Sequence, residues 1–434
     1  MVEKPDQHRP FTRRTALAGL VAAAAYGAAN AEPIAVHATP EGGAGPVFSA
    51  TGPNAGLYGA AEGFPVPGFL ARRQGNPYEP KYRVGAFSHF DEMYPTRQIK
   101  RATMPWLFKR TSADIRHRFQ GRQSSLIEYL SRNSVTGLLI ARDDEILFEQ
   151  YQYGRTDRDR FLSQSMVKSI MGVLIGIAVS EGEIKSVDDT PETYVPGVRG
   201  TEYGKTPIRD LLHMSSGVEF REDEDNGRDL NRLWDDMVGR SWLFQKGTIK
   251  SIAQFNRRIA PRGARYFYSS IEPDVLGMVL HHAVNRSASD YLQEKVWGPI
   301  GAEAEATWLV DAEGFEVAHF GFNAVLRDYA RLGRLLAHDG AWEGRQVIPA
   351  QWTIDATSVR AADADLLPGK AMPTFGYGYL LWLLPGVRRQ FALVGDKGQR
   401  VCVDPASKLI MVQTALETKA EVWSLWSALV EQFG

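Results

Sequence analysis

The chain contains 434 residues, enough for two or three domains or for one large domain. Its 50 basic and 51 acidic side chains give a formal net charge of −1, so nothing favours nucleic acid or an anionic membrane surface as a partner. The single cysteine, Cys402, excludes an intrachain disulfide and any cysteine-based metal site. The nine histidines are scattered, and the adjacent pair His281 and His282 cannot converge on one metal ion. We therefore predict no metal and no cofactor, and the oligomeric state is left open.

Residues 1–31 have the parts of an export signal. The paired arginines Arg13 and Arg14 precede a mildly apolar run that ends at Ala29-Asn30-Ala31, a small-residue cleavage site. An arginine pair before a weakly hydrophobic segment is typical of the twin-arginine route. We predict a periplasmic or secreted protein with no membrane-spanning helix after cleavage. The alternative is a disordered tail that contains a chance arginine pair.

The next segment, 32–83, is rich in glycine, proline and alanine, and we predict an irregular N-terminal extension there. One domain is predicted over residues 84–434, and its periodic structure is predicted to start near Met104. Its first strong patterns are a helix near 124–134 and two apolar runs, 135–142 and 146–151, that predict a β-hairpin.

The most informative stretch begins at Ser165 and opens a helix, 165–179, that is apolar on nearly every face. Lys168 follows one helical turn later, so its amine and the serine hydroxyl can meet on one face. Burial disfavours a charged amine, and a neutral amine beside a hydroxyl is a general base beside a nucleophile. At the helix start, the Ser165 N–H is also free to stabilise a developing negative charge. The alternative is a helix-capping serine followed by a lysine whose charge reaches solvent.

From this helix to about residue 380 the pattern is mixed and mostly helical, and strands return after it. Strands near both ends of the chain, with helices between them, predict one antiparallel sheet built from both termini and flanked by helices, with an inserted helical subdomain. This arrangement belongs to the α+β class. The later elements that we predict are helices at 273–286, 288–296 and 324–338, strands at 391–394, 400–403 and 409–414, and a final helix at 420–431.

Tyr268 lies shortly before the helix predicted at 273–286. A tyrosine held near Ser165 and Lys168 can relay a proton to a leaving group. Taken alone, an ordinary core or surface tyrosine is the favoured interpretation, because buried tyrosines are common.

A tight turn at 395–399 leads into one of the last strands. Gly398 lets the backbone approach a substrate there, and the N–H of the following Gln399 can complete an oxyanion hole. Taken alone, this turn is most simply an ordinary glycine hairpin.

In chain order, Ser165-x-x-Lys168, Tyr268-Ser269-Ser270 and Asp396-Lys397-Gly398 resemble the motifs of the serine β-lactamase and penicillin-binding-protein superfamily, which are Ser-x-x-Lys, Tyr-x-Asn and Lys-Thr-Gly. The tyrosine places the resemblance nearest the class C-like branch, in the group of esterases and 6-aminohexanoate-dimer hydrolases. The resemblance covers about residues 84–434. Supporting stretches are Phe87–Asp91, Tyr94–Arg97, Leu211–Gly217, Phe322–Arg331 and Gly376–Trp382.

This resemblance implies a β-lactamase-like fold and a serine hydrolase that acts on a small-molecule ester or amide through a covalent acyl-serine. It implies Ser165 as the nucleophile, with Lys168 and Tyr268 moving the proton. The remaining residues that it implies are the N–H groups of Ser165 and Gln399 in the oxyanion hole and substrate contacts from Gly398, Lys397 and Ser270.

Two departures from the family pattern affect the predicted substrate. Ser270 stands where β-lactamases carry the Asn that contacts an acylamino side chain, and Asp396 and Lys397 stand where Lys and Thr of Lys-Thr-Gly would be. We therefore predict an esterase or amidase, although Lys397 could contribute a displaced positive charge. The alternatives are a β-lactamase or D-amino-acid peptidase acting on cell-wall-type substrates, and a non-catalytic sensor on the same fold.

An acidic run at 219–225 follows one of the supporting stretches. We predict a solvated loop there, with a lid over the cleft as the alternative.

Overall fold

The computed structural model describes residues 45–62, 77–222, 227–239 and 245–434. The predicted export signal and its cleavage site lie outside these described residues. None of the helices in the described ranges combines the length and the apolar character that crossing a membrane requires.

The strands predicted near the two ends of the chain pair in one sheet, which confirms the expectation of a sheet built from both termini. Its central pair joins Val135–Arg142 to Leu409–Ala415 in antiparallel register. Glu145–Tyr151 continues the sheet on one side and Gln399–Asp404 on the other. In chain order the described strands are β1 (Val47–Phe48), β2 (Thr96–Ile99), β3 (Lys109–Arg110), β4 (Arg116–Phe119), β5 (Arg122–Ser125), β6 (Val135–Arg142), β7 (Glu145–Tyr151), β8 (Phe161–Leu162), β9 (Ala306–Leu309), β10 (Phe322–Ala324), β11 (Ala341–Trp342), β12 (Arg345–Gln346), β13 (Gly376–Tyr377), β14 (Trp382–Leu383), β15 (Phe391–Gly395), β16 (Gln399–Asp404) and β17 (Leu409–Ala415).

Within the described residues, the order of this sheet is β1-β7-β6-β17-β16-β15-β14-β13, with β3 also paired to β7. Strands β1 and β3 run parallel to β7, so the sheet is mixed at this edge and not antiparallel throughout. Both of these strands have two residues, which is too short for an alternating pattern to reveal them in the sequence.

Helices are the main regular structure between the two groups of strands, as predicted, and another helix closes the chain. One predicted helix differs in detail, because the α-helix that begins at Ala288 ends at Leu292 and a π-helical turn, Gln293–Trp297, follows. In chain order the described α-helices are α1 (Arg83–Ala86), α2 (Leu126–Arg132), α3 (Met166–Ser180), α4 (Pro191–Tyr194), α5 (Ile208–Leu212), α6 (Arg228–Met237), α7 (Thr248–Ala253), α8 (Ile271–Val284), α9 (Ala288–Leu292), α10 (Leu326–Ala337), α11 (Ala350–Ala356) and α12 (Glu421–Phe433), and short 3-10 helices occur at Pro80–Tyr82, Phe90–Glu92, Pro196–Val198, Ala361–Leu366 and Asp396–Gly398.

Successive residues of the central strands supply two separate cores. Leu139 and Val412 lie in the larger core, to which α10 also contributes. Met411 and Cys402 lie in the second core, with Trp426 of α12. Because helices cover both faces of the sheet, the sequences of these strands are continuous apolar runs and do not alternate between apolar and polar residues. Burial raises the pKa of the Cys402 thiol to about 12, so the thiol stays protonated and unreactive.

A second sheet, β2-β9-β10-β8, was not predicted from the sequence. Its strands have two to four residues, and they come from parts of the chain that are far apart in sequence. Leu162 of β8 pairs with Asn323 of β10, and this pairing fixes the chain three residues before Ser165. The second sheet therefore sets where α3 begins.

Helix α3 is buried from Met166 to Ala178, which confirms the apolar helix predicted there. Gly172 and Gly176 lie one turn apart, and any side chain at Gly176 would overlap the indole of Trp352. The indole also donates a hydrogen bond to Gly172 O at 3.1 Å. Glycine inside a helix costs about 1 kcal/mol relative to alanine. This cost is offset here by the close approach of α11, which holds α3 in place.

The described part of the N-terminal extension packs against the domain that follows it. Strand β1 pairs with β7, and the Tyr153 hydroxyl donates to Pro53 O at 2.6 Å. Arg83 donates to Leu416 O at 2.9 Å. All described residues therefore belong to one compact unit, which spans 41–434.

Candidate active site

Ser165 is the N-terminal residue of α3 and follows a turn from β8. Gln164, the residue before it, has a left-handed backbone with φ of 50°, which turns the chain sharply into the helix. Between residues 161 and 178, Ser165 alone is partly exposed and every other residue is buried. The hydroxyl does not cap the helix, because it accepts no backbone N–H of the first turn. This excludes the capping interpretation, and it leaves the hydroxyl open to solvent.

Lys168 lies beside that hydroxyl and is 2 % exposed. Its Nζ lies 2.6 Å from Ser165 Oγ and 3.1 Å from His319 O. Since the amine is buried, the alternative of a lysine that reaches solvent is excluded. No carboxylate of the described residues comes within 4.0 Å of this nitrogen. The amine is therefore held by uncharged oxygens, an arrangement suited to exchanging a proton with the serine.

Tyr268 contacts the same amine through its ring. Lys168 Nζ lies 5.0 Å from the Tyr268 ring centroid, within the range of a cation–π contact. The ring also packs edge-on to Tyr377, at 6.5 Å, and near Trp382, at 6.2 Å. Among the described residues the Tyr268 hydroxyl makes no hydrogen bond. The structure thus brings together Ser165, Lys168 and Tyr268, and it leaves the phenol hydroxyl available.

Ser270 has a different set of contacts. It is the first residue at the N-terminus of α8, and both its N–H and its Oγ donate to the carboxylate of Glu222, at 2.6 and 2.7 Å. A carboxylate at this position is favoured by the free N–H groups of the helix end. Ser270 is therefore engaged by a residue of the acidic run.

The acidic run itself is only partly described, since residues 223–226 lie outside the described residues. Its first carboxylate, Glu219, pairs with Arg221 at 2.7 Å and with Arg257 at 3.0 Å. Glu222 pairs with Ser270, as noted above. These contacts tie the described part of the run to the domain.

The turn at 395–399 lies against the segment that precedes the nucleophile. A side chain at Gly395 would overlap Ser163 O, so only glycine allows this approach. Lys397 has φ of 55°, and its Nζ pairs with Asp396 Oδ2 at 2.8 Å. This ion pair is partly exposed, so it stabilises the fold by at most about 1 kcal/mol. Gly398 has φ of 94°, a conformation that favours glycine at this position.

Gln399, the predicted second oxyanion donor, is 1 % exposed. Its side-chain amide bonds to both backbone groups of Ala415, at 2.8 and 3.0 Å, and so joins β16 to β17. Its backbone N–H donates to Asp396 O across the turn. By contrast, the N–H of Ser165 makes no hydrogen bond among the described residues. The structure therefore supplies one free donor at the nucleophile and a second that is already engaged.

Two residues of the site were missed in the sequence. Asp274, on α8, accepts hydrogen bonds from Ala318 N and from His319 N and Nδ1, and the carbonyl of this same His319 holds Lys168. An acidic residue inside an apolar helix was the available signal. Its partner lies 45 residues away, a distance that no local pattern spans.

Tyr78, from the N-terminal extension, was also missed. Its hydroxyl donates to Gln164 Oε1 at 3.0 Å, next to the nucleophile. Burial raises the pKa of the Tyr78 hydroxyl well above its usual range, so it remains a hydrogen-bond donor. The extension therefore contacts the turn that presents Ser165.

A buried carboxyl group lies behind the site, on the first turn of α8. Glu272 is 1 % exposed, and its Oε1 accepts from Ser216 Oγ at 2.6 Å. Its Oε2 has no hydrogen-bond partner in the described structure, and the buried Tyr203 hydroxyl nearby also has none. Desolvation raises the pKa of Glu272 well above its usual value, so burial favours the protonated form of this group in the folded protein.

This raised pKa predicts a pH-dependent stability. The folded state retains the Glu272 proton that the unfolded chain releases. The contribution of the protonated carboxyl to the free energy of unfolding is therefore full below about pH 4.5, and it is lost as pH rises toward the pKa of the folded state. Glu272→Gln keeps the shape and cannot ionise. We expect equal melting temperatures for the two proteins at pH 4, and a Tm about 2 °C or more higher for the variant at pH 8.

Thermal melts from pH 4 to pH 9 measure this difference. Glu431→Gln, an exposed change on α12, serves as the control for loss of one carboxylate. A variant that matches the wild type at pH 4 and is less stable than the wild type at pH 8 would show that Glu272 is needed in its charged form.

Comparison with known proteins agrees with this fold and motif arrangement. The protein is 26 % identical over 336 residues to a 6-aminohexanoate-dimer hydrolase of Paenarthrobacter ureafaciens, spanning 76 % of this chain and 84 % of the relative. A structure from Bacillus anthracis, provisionally named a 6-aminohexanoate-dimer hydrolase, superposes with a TM-score of 0.74 at 22 % identity over 82 % of this chain and 95 % of its own. A penicillin-binding protein from Bacillus halodurans gives 0.53 at 16 % identity, over 68 % of this chain and 96 % of its own.

These likenesses define the class of protein, an α+β chain with the β-lactamase-like fold that the motifs implied. The family model described as Beta-lactamase matches residues 127–417, more than half of the chain. The protein therefore belongs to the β-lactamase family of hydrolases, which confirms the resemblance stated from the sequence.

Proposed function

We propose that this protein is a serine hydrolase that cleaves ester or amide bonds of small molecules through an acyl-Ser165 intermediate. The observation that supports this most directly is the 2.6 Å contact between Lys168 Nζ and Ser165 Oγ at the start of a buried helix. Only uncharged groups of the described structure surround the amine. A binding protein gains nothing from a buried amine beside an exposed hydroxyl, and this argues against a non-catalytic sensor.

Acylation begins when Ser165 Oγ bonds to the substrate carbonyl carbon while its proton passes to Lys168 Nζ. Negative charge then develops on the carbonyl oxygen. The free N–H of Ser165 donates to this oxygen at the positive end of α3. We assign the second donor to the N–H of Gln399, which must first leave or share its bond to Asp396 O.

The acyl-enzyme forms when the bond from carbon to the leaving nitrogen or oxygen breaks. The leaving atom takes the proton from Lys168, with the Tyr268 hydroxyl as the relay. Water then attacks the acyl carbon and gives one proton to the same groups, and Ser165 recovers a proton as the acid leaves. Each proton removed in one half-reaction is returned in that half-reaction.

We further propose that linear amides or short esters are the substrates, in preference to β-lactams. Two groups that would recognise a β-lactam are engaged elsewhere, since Ser270 bonds to Glu222 and Lys397 pairs with Asp396. A relative is named for hydrolysis of a linear amide, the 6-aminohexanoate dimer. Partly exposed aromatic rings at Trp382 and Tyr268 offer a surface for an alkyl chain.

Replacing the two central residues tests the mechanism. Ser165→Ala should abolish ester hydrolysis and labelling by a fluorophosphonate, because the nucleophile is lost. Lys168→Ala should lower kcat by about 10²–10⁴-fold, and Lys168→Arg should not restore it, because a guanidinium does not release its proton. Steady-state kinetics and the labelled mass of the intact protein measure these effects.

Ser169→Ala is the matched control, because it removes a hydroxyl from α3 at the position after Lys168, which faces away from the Lys168 amine. That hydroxyl donates to Leu380 O at 2.6 Å, so the variant should lose some stability and keep its labelling. Turnover by folded Ser165→Ala, or full activity of Lys168→Arg, would exclude the proposed mechanism.

The substrate class is tested by one screen on a single preparation. A site that lacks particular hydrogen-bonding groups cannot select strongly for a ligand that needs them. We expect p-nitrophenyl esters of short acids, or linear amides, to have kcat/KM at least about 10²-fold above nitrocefin and benzylpenicillin. The rate measured with the Ser165→Ala variant is subtracted from each rate as the background of spontaneous hydrolysis.

Each alternative has its own result in this screen. A β-lactam as the best substrate would establish a β-lactamase, with Lys397 as the carboxylate contact. Preference for D-amino-acid peptides would establish a cell-wall peptidase. Stoichiometric labelling without turnover of any substrate would indicate a sensor.

We also propose export by the twin-arginine route, on the sequence of residues 1–31 alone. Replacing both Arg13 and Arg14 by Lys should leave uncleaved precursor in the cytoplasm, whereas the control Arg9→Lys should be exported. Cell fractionation and N-terminal sequencing measure this. Mature protein that starts near Glu32 in the periplasm of cells making the double variant would exclude this route.

A further inference from the structure

Asp274 is a buried carboxylate without a lysine or arginine partner among the described residues. It lies on α8 and is 1 % exposed. No lysine or arginine nitrogen of the described residues lies within 4.0 Å of it. The carboxylate instead accepts Ala318 N at 2.9 Å, His319 N at 3.2 Å and His319 Nδ1 at 2.7 Å. Burying a carboxylate is costly unless hydrogen bonds compensate for the lost water. All three donors to Asp274 come from residues 318 and 319, which indicates that the carboxylate holds this short segment in place.

The segment held by Asp274 is the one that contacts Lys168. The His319 carbonyl accepts from Lys168 Nζ at 3.1 Å, and Ser165 Oγ is the other oxygen bound to that nitrogen in the described structure. Gly277, one turn after Asp274 on α8, brings the helix against Ala318, since a side chain there would lie 3.1 Å from the Ala318 methyl group. Helix α8 therefore fixes the 318–319 backbone both by packing and by hydrogen bonds.

We propose that Asp274 is a positioning residue for Lys168 and that it acts through the main chain of His319. The inference rests on the proposed role of Lys168 as the base. Asp274 orients the His319 carbonyl, the carbonyl fixes the amine, and the amine stays in line with Ser165 Oγ. A misplacement of about 1 Å at a catalytic group can cost about 10²-fold in rate. Loss of Asp274 therefore slows acylation without changing the groups that bind substrate.

Two variants at position 274 separate positioning from general stability. In Asp274→Ala the two N–H groups of 318 and 319 lose their acceptor, and we expect kcat to fall about 10²-fold with KM changed less than about threefold. Asp274→Asn keeps one oxygen for these N–H groups, and its amide can donate to Nδ1 of the other His319 tautomer. We expect this variant to recover most of the loss and to keep a kcat that is about three- to tenfold below that of the wild type.

His319→Ala tests whether the main chain or the imidazole is responsible. This change removes one of the three contacts of Asp274 and keeps the carbonyl that holds Lys168. We expect kcat within about fivefold of the wild type, well above that of Asp274→Ala. An equal loss of kcat in His319→Ala and Asp274→Ala would overturn the proposal that Asp274 acts through the main chain of His319.

Asp311→Ala is the matched control for removing a buried carboxylate that accepts backbone N–H groups. Asp311 is 4 % exposed and accepts Glu313 N and Phe315 N, both at 2.9 Å, with no contact to Lys168. We expect a comparable drop in Tm with kcat changed less than about threefold.

The measurements are kcat and KM for one ester, the rate of fluorophosphonate labelling and the Tm of each variant. An Asp274→Ala variant with near wild-type kcat overturns the proposal. If this variant does not fold, Asp274→Asn decides, because the proposal requires a slower kcat at constant KM and wild-type kinetics would exclude it. Failure of the proposed function is recognised separately, as activity that survives Ser165→Ala.

Discussion

A buried amine beside a half-exposed hydroxyl is the constraint on which the rest of the site depends. Removing the Lys168 amine from water is costly, and the described structure offers it no carboxylate. Its partners are Ser165 Oγ, His319 O and the face of the Tyr268 ring. Each of these comes from a different part of the chain. The fold must therefore hold three segments together so that this one amine has its partners and stays beside the serine hydroxyl.

The first turn of helix α8 and the residues before it make most of the contacts that hold these segments together. Tyr268 and Ser270 lie just before the helix, with Ser270 as its N-cap residue, and Asp274 follows one turn later. Each points to a different partner: the amine, the acidic run and the backbone at 318–319. Because α3 and α8 pack on each other inside the larger core, a displacement of either helix would be felt by all of these contacts.

The same contacts account for the departures from the β-lactamase motifs. A serine at position 270 is short enough to bond Glu222 through both its N–H and its hydroxyl. In the turn between β15 and β16, Lys397 has a left-handed backbone conformation and pairs with the adjacent Asp396. Polar groups that would face a β-lactam are thus satisfied within the protein, while the aromatic rings beside Tyr268 remain for an apolar chain. The proposed nucleophile therefore lies in a site whose polar contacts differ from those implied by the β-lactamase motifs.

The sequence by itself determined the long elements and the pairing of Ser165 with Lys168, the proposed nucleophile and base. Helix α3, the hairpin β6–β7 and the strands β15–β17 were predictable because each contains a continuous run of mostly apolar residues. Ser165 and Lys168 are related by a single helical turn. Only the tertiary structure decided the second sheet, whose strands are too short to show a period, and the roles of Asp274 and Tyr78. It also decided that the Gln399 N–H is engaged by Asp396. The local pattern of apolar and polar residues shows which side of a helix or strand is buried. Contacts between distant segments depend instead on how the helices and sheets pack.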